Sequence, residues 1–194
     1  MATLSFPRKH KNIDVRSREY LTEHEVEKLR KAARTIGRHG HRNDTMILIS
    51  YQHGLRVGEL VNLRWDQVDL SQGLLHVRRL KRGIDSVHPI TGVEIRMLRQ
   101  LHRVSEGSPY VFLSERGGPM TTANVRKMTQ RAGVLAGLGP YVHPHQWRHG
   151  CCFKLANDGR DTRTIQVFAG HKNIAHTARY CEIIPSRFKD FWRD

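Results

Sequence analysis

Residues 43–54, NDTMILISYQHG, are apolar on most sides of a helix instead of along one stripe, and such a segment is stable only where other elements surround it. The remainder of the chain must therefore build a shell around a central helix. Gly54 suits the C-terminal turn of that helix, because glycine enters the left-handed region at little cost. One shell element begins at LTEHEVEKL, where Thr22 and Glu25 form a capping box and Leu21 with Val26 a hydrophobic staple, so that a helix starts near Glu23. Its apolar positions Val26, Leu29, Ala33 and Ile36 share a face, which turns Lys28, Arg30 and Lys31 outward. GLRVGELVNLRWDQVDL reads as a short loop and another helix, and GLLHVRRL with DSVHPI as two extended runs of a hairpin around KRGI. Residues 92–104 have helical periodicity, YVFLS is a short strand candidate, and TTANVRKMTQRAGVLAG is a helix entered through threonine and left through glycine. From residue 143 the pattern stays helical, broken at Gly159, near Gly170 and at Pro185. The expected class is α+β, mostly α, with a small antiparallel sheet.

Lysine and arginine number 33 against 18 acidic residues, a net charge of +15 spread along the chain. A field of that size favours a polyanion as partner, and the outward lysines of the first helix face solvent or DNA. Hydrophobic residues, 38% of the total, fall in periodic segments, which sets this chain apart from a basic disordered tail. Residues 1–18 are basic and aperiodic, either a flexible arm or a strap across a nucleic-acid backbone, ahead of one domain over 19–194. No apolar run approaches the ~20 residues needed to span a bilayer, and the N-terminus lacks a signal peptide's apolar region, so a cytoplasmic protein is expected. The three cysteines have no C-x-x-C spacing. Cys151 and Cys152 read as packed small hydrophobes, not as nucleophiles.

The stretch HPHQWRHG, 143–150, gathers three histidines and an arginine. On a helix His145 and His149 share a face and could hold a metal, as in the H-E-x-x-H helix of zinc hydrolases. That motif's glutamate base is replaced here by Gln146, which cannot take a proton near neutral pH, and a third ligand is missing. Alternatively His145 and Arg148, three apart, present an imidazole and a guanidinium together to a phosphate.

Two further stretches bear on the choice: GLRVGEL at 54–60, with Arg56, and AGHKNIAHTARY at 169–180, where Tyr180 follows His171 by nine residues. With HPHQWRHG and the hairpin segment LKRG, these blocks resemble the tyrosine recombinases, or phage integrase family, from about residue 20 to about residue 185. That family carries an arginine in G-L-R-x-x-E-L, a lysine on a β-hairpin, an H-x-x-R block, a G-H block and a tyrosine nine residues later. The resemblance assigns Arg56, Lys81, His145, Arg148, His171 and Tyr180 to these positions in order. Short members of the family that invert fimbrial promoter switches are similar in RRLKRGIDSVHPI and HPHQWRH, and like this chain have little ahead of the catalytic domain. Trp147 stands where leucine is common, and only fourteen residues follow Tyr180. Among those, Phe188, Phe191 and Trp192 form an aromatic cluster that covers either this domain or a neighbour.

By this resemblance the chain is a site-specific DNA recombinase that acts through a 3′-phosphotyrosine without ATP, metal or other cofactor, with Tyr180 as nucleophile. His145 would accept the phenol proton, since phenol has a pKa near 10. Arg56, Arg148 and His171 would hold the non-bridging oxygens, and Lys81 would protonate the leaving 5′ oxygen. Glu59 is expected to orient the arginines, and Arg78, Arg79 and Arg82 to contact the DNA backbone. The expected partners are double-stranded DNA, further copies of the chain as a tetramer on two sites, and DNA-bending accessory proteins. Each residue has a plainer role: Arg56 as a solvated helix-start charge, Tyr180 as a core tyrosine, His143 as structural, His149 as a buried hydrogen-bonding histidine. The alternative for the whole chain is a catalytically silent relative that only binds DNA.

Overall fold

A computed structural model describes residues 19–80, 83–105 and 107–180. The basic segment 1–18, Lys81, Arg82 and the aromatic cluster at 188–192 lie outside them. Helix α1, Glu23–Arg34, starts where the capping box places it: Thr22 accepts from the Glu25 N–H at 3.3 Å, and Glu25 accepts from the Thr22 N–H at 2.8 Å. Helix α2, Gly40–Gln52, runs through the middle, with Met46, Ile47 and Ile49 wholly buried, and Gly54 takes φ 55° in the turn that leaves it. α1 packs along α2. Arg30 departs from the outward placement expected for it, because the buried Asp44 of α2 draws its guanidinium inward to 2.7 Å.

Past Gly54 the chain forms the short helix α3, Val57–Val61, then a 3-10 turn at Trp65–Gln67 and strand β1, Val68–Asp69. Strands β2, Leu74–Val77, and β3, Ser86–Pro89, form the hairpin, and the antiparallel order is β1-β2-β3. Leu75 pairs with His88 and Val77 with Ser86; Leu75 and Val77 point into the core while His76 is exposed. Helix α4, Gly92–Arg103, is capped by Thr91 and packs on α2, as the periodicity predicts.

YVFLS forms no strand. Val111 and Phe112 are buried, but the segment makes only isolated bridges, Arg64 with Tyr110 and Leu113 with Pro119. Its partner stretch turns into the 3-10 helix at Trp65, so no ladder can extend. Burial of apolar groups, not sheet pairing, explains the hydrophobic run.

Helix α5, Thr122–Leu135, leads to α6, Pro144–Asn157, then α7, Thr162–Ala169, and α8, Ala175–Ala178. α6 packs on α1, α2 and α5 and carries the wholly buried Trp147. Its approach to the start of α1 depends on Gly150, where a Cβ would overlap the Leu21 carbonyl oxygen and lie 3.4 Å from the Tyr51 ring. Backbone cannot step aside as a flexible side chain can. Gly150→Ala is therefore expected to destabilise the fold by about 1–3 kcal/mol, read as a lowered urea midpoint; an unchanged midpoint would contradict this packing.

Candidate active site

An open cleft of about 790 Å³ is lined by Arg56, His145, His149, His171, His176 and Tyr180, among others. Each arrives from a local feature already described. Arg56 follows the Gly54 turn and precedes α3. His145 and His149 stand on the first turns of α6, whose Pro144 at the first position and His143 cap set its start. His171 follows Gly170, which ends α7 in the left-handed region at φ 65°. Tyr180 follows α8 and packs edge-on against Phe153, ring centroids 5.1 Å apart.

Behind the cleft lies a buried charge cluster. Glu59 accepts from Arg56 Nη1 at 2.7 Å, from the Arg56 backbone N–H at 2.8 Å and from Arg79 Nη1 at 2.9 Å. Burial alone would raise the pKa of Glu59, but the Arg79 charge and the hydrogen bonds from Arg56 outweigh it and hold the carboxyl below its usual range. Arg148 is 2% exposed; it donates to the Gly54 carbonyl and, at 2.7 Å, to that of Ala169. Burial first, then Arg56, brings its pKa down to about 10, so it stays charged at neutral pH.

The imidazoles differ. His145 is on the exposed rim, and desolvation first, then Arg148 and Arg56, lower its pKa. His149 is buried, its Nδ1 2.9 Å from the Tyr180 hydroxyl, and burial with neighbouring His145 and arginine charge brings its pKa to about 3. His171 has its Nδ1 2.9 Å from Thr177 Oγ1, with a pKa of about 3 from burial, Arg148 and Arg56. Burial likewise raises the pKa of Tyr180, which is 3% exposed and stays protonated at neutral pH. Cys151 and Cys152 are buried, their thiol pKa values raised by burial. The structure thus brings together Arg56, His145, His171 and Tyr180 in one cleft, with Arg148 held between the segments that carry Arg56 and His171. Two guanidiniums, neutral imidazoles and a phenol so arranged can seat a tetrahedral anion and place a hydroxyl beside it. For the metal alternative, His145 and His149 meet edge to face at 4.3 Å with His149 Nδ1 bonded to tyrosine, and among the described residues no group of three ligands could hold an ion.

One expectation is corrected. Arg79 does not reach out to a DNA backbone: its side chain is 0% exposed, donating to Glu59, to the carbonyls of Gly54 and His53, and to that of Phe168. The signal was in the sequence, since Arg79 continues, two residues past the end of β2, the inward alternation of Leu75 and Val77. Arg78 points the other way and is exposed, 3.4 Å from Asp66. Lys81 and Arg82 fall outside the described residues. The sequence reading also missed a buried network behind the hairpin, in which His53 lies 3.1 Å from His88 and 2.8 Å from Glu94.

The depressed histidines make stability depend on pH. For His88, His149 and His171, each with a pKa near 3 in the fold against 6.5 outside it, the unfolded chain binds more protons between those values. Stability is fully present above pH 6.5 and falls as pH drops, by about 1.4 kcal/mol per unit for each histidine. Glu59 and Glu94 add losses of the same sign only below their unfolded value of 4.5. Urea midpoints measured between pH 7 and pH 5 should therefore fall steeply, and a flat profile would contradict neutral burial of these rings.

The phage integrase family model matches residues 19–187. The type 1 fimbriae regulatory protein FimB of Escherichia coli (strain K12) is 38% identical over 184 residues, 92% of this chain and 92% of that protein. FimE of the same strain is 36% identical over 90% of this chain and 91% of its own. Among solved structures, the XerA recombinase superposes with a TM-score of 0.75 at 28% identity, over 89% of this chain and 63% of that one. XerH bound to its difH substrate before cleavage, at 20% identity and a TM-score of 0.76, shares the fold over 90% of this chain and 53% of that one. This chain spans less than two thirds of either solved chain.

Proposed function

Since this chain belongs to the phage integrase family and is a site-specific tyrosine recombinase, we propose that Tyr180 is its nucleophile and that it breaks and rejoins double-stranded DNA. The Tyr180 oxygen bonds to the scissile phosphorus as the bond from phosphorus to the 5′ oxygen breaks, leaving a 3′-phosphotyrosine. The phenol proton goes to His145, and Lys81 gives a proton to the departing 5′ oxygen. A 5′-hydroxyl from a second strand reverses the step. The phosphodiester energy is kept throughout, so no ATP is needed, and two arginines, a lysine and a histidine around the phosphate take the charge-stabilising role a metal would otherwise have.

Arg56, Arg148 and His171 stabilise the charge that grows on the non-bridging oxygens, and Glu59 orients Arg56. In the DNA-free chain His149 holds the hydroxyl as a neutral acceptor, and His145, packed edge-on against it, takes the proton once a phosphate is seated. Arg78 and Arg82 contact the DNA backbone. Residues 19–194 act as the catalytic unit, preceded by the basic segment 1–18. The chain works in the cytoplasm as a tetramer on two sites, with DNA-bending proteins as accessories. The outcome is inversion, or integration and excision, of a DNA segment; the resemblance of RRLKRGIDSVHPI and HPHQWRH to the short recombinases that invert fimbrial promoter switches favours inversion.

The observation that carries this reading is the meeting, in one cleft, of Tyr180 with Arg56, His145 and His171. It is tested by recovering tagged protein from its host under denaturing conditions and sequencing the DNA that remains attached. Adducts at one or a few sites are expected. Protein that retains DNA before denaturation and none after it, even on a nicked substrate, would favour the silent DNA-binding alternative.

A further inference from the structure

Arg79 is a buried ionic group behind the cleft for which strand cleavage, as written above, has no use. Its stem runs where two glycines leave room: a Cβ on Gly170 would lie 2.6 Å from Arg79 Cγ, and one on Gly83 2.7 Å from Arg79 Cβ. Its backbone N–H donates to Asp85 at 2.6 Å, fixing the base of the hairpin. Its guanidinium joins the segment that carries Arg56, through the His53 and Gly54 carbonyls, to the segment that carries His171, through Phe168.

The informative geometry is at Glu59. Arg56 takes one carboxylate oxygen, Oε1, at 2.7 Å, and Arg79 takes the other, Oε2, at 2.9 Å. Arg148 Nη1 stands 4.0 Å from that same Oε2 and donates instead to the Gly54 carbonyl, while its Nη2 donates to that of Ala169. A neutral carbonyl releases a guanidinium to an arriving phosphate far more readily than a buried carboxylate does, because the charge-assisted bond is the stronger. With Arg79 absent, Oε2 would keep only the Arg56 backbone N–H, at 2.8 Å, and its freed lone pair would face Arg148 from 4.0 Å.

We propose that Arg79 is a positioning residue that keeps Arg148 available to the scissile phosphate by occupying the Glu59 oxygen Arg148 would otherwise take. Three guanidiniums around one carboxylate leave a surplus of positive charge, which is what a phosphate entering the cleft requires. The inference rests on the reading of Arg148 as a phosphate ligand.

The test is a double-mutant cycle of Arg79→Met, Glu59→Gln and the two combined, read as single-turnover cleavage of a nicked duplex of the sequence recovered with the wild-type adduct. Arg79→Met should slow cleavage by roughly 100-fold, the scale of losing one preorganised donor, while DNA affinity stays within about threefold of wild type because no DNA contact is lost. Arg79→Lys retains a cation for Oε2 and should recover most of the rate. Arg79→Met combined with Glu59→Gln removes the competing anion and should cleave at least ~10-fold faster than Arg79→Met alone, a non-additivity expected of coupled neighbours. Melting curves identify variants that fail to fold, and Arg79→Gln replaces Arg79→Met if that one does. Additive losses in the double variant, with Arg148→Ala slow, would overturn the role of Arg79 and leave the recombinase reading intact. Cleavage by Arg148→Ala at the wild-type rate, or no adduct from the wild type, would overturn the phosphate-ligand reading and this inference with it.

Discussion

Tyr180→Phe is expected to abolish strand cleavage while leaving DNA binding in place. The substitution removes one oxygen, and with it the only atom proposed to bond to phosphorus; losing a nucleophile of this kind costs on the order of a millionfold in rate. The fold should tolerate it. The ring stays packed against Phe153, and the lost hydrogen bond to His149, 2.9 Å long, leaves a buried acceptor that costs about 1–3 kcal/mol. Covalent adducts on a nicked duplex, resolved on a denaturing gel, should fall below detection, while a mobility shift of the same duplex stays within about threefold of wild type. Adducts persisting at a hundredth of the wild-type level or more would place the nucleophile elsewhere.

Arg148→Lys should be the next most damaging change that preserves charge. Arginine here donates to two carbonyls, those of Gly54 and Ala169, from opposite arms of one planar fork. A lysine ammonium is a single point on a flexible stem and cannot span both while facing a phosphate. A loss of about 100- to 1000-fold in the single-turnover rate is expected, with DNA affinity little changed, since the interaction is made mainly as charge develops in the transition state. A rate within a few-fold of wild type would mean that Arg148 is only a buried strut between α6 and α7.

Local signals account for much of the helical frame. Thr22 with Glu25 marks a helix start where the structure has it, the periodicity of 92–104 matches the helix Gly92–Arg103, and the all-round apolar character of α2 makes it central. Where sequence reading failed, the deciding contact was distant in the chain. YVFLS has strand composition, but its partner stretch at 63–65 turns away after one pair. Arg30 has an outward position on α1, and Asp44 on another helix overrides it. Arg79 is the exception, because there the deciding signal is local: the alternation of Leu75 and Val77 aims it inward, away from the exposed Arg78.

The candidate site was legible in a different way. No local period links Arg56, His145, His171 and Tyr180; the order and spacing of their motifs brought them together as a resemblance, and the fold sets them around one cleft. The Tyr180–His149 hydrogen bond was beyond such reading. It depends on how α6 and the segment after α8 meet, which no motif encodes.

The most direct test of Tyr180 as nucleophile is to map the covalent bond itself. Adduct trapped on a nicked duplex would be digested with nuclease and trypsin, and the peptides analysed by mass spectrometry. A nucleotide phosphate carried on the tyrosine of the peptide that begins at Tyr180, after Arg179, is the predicted result. The same phosphate on any other residue would contradict it.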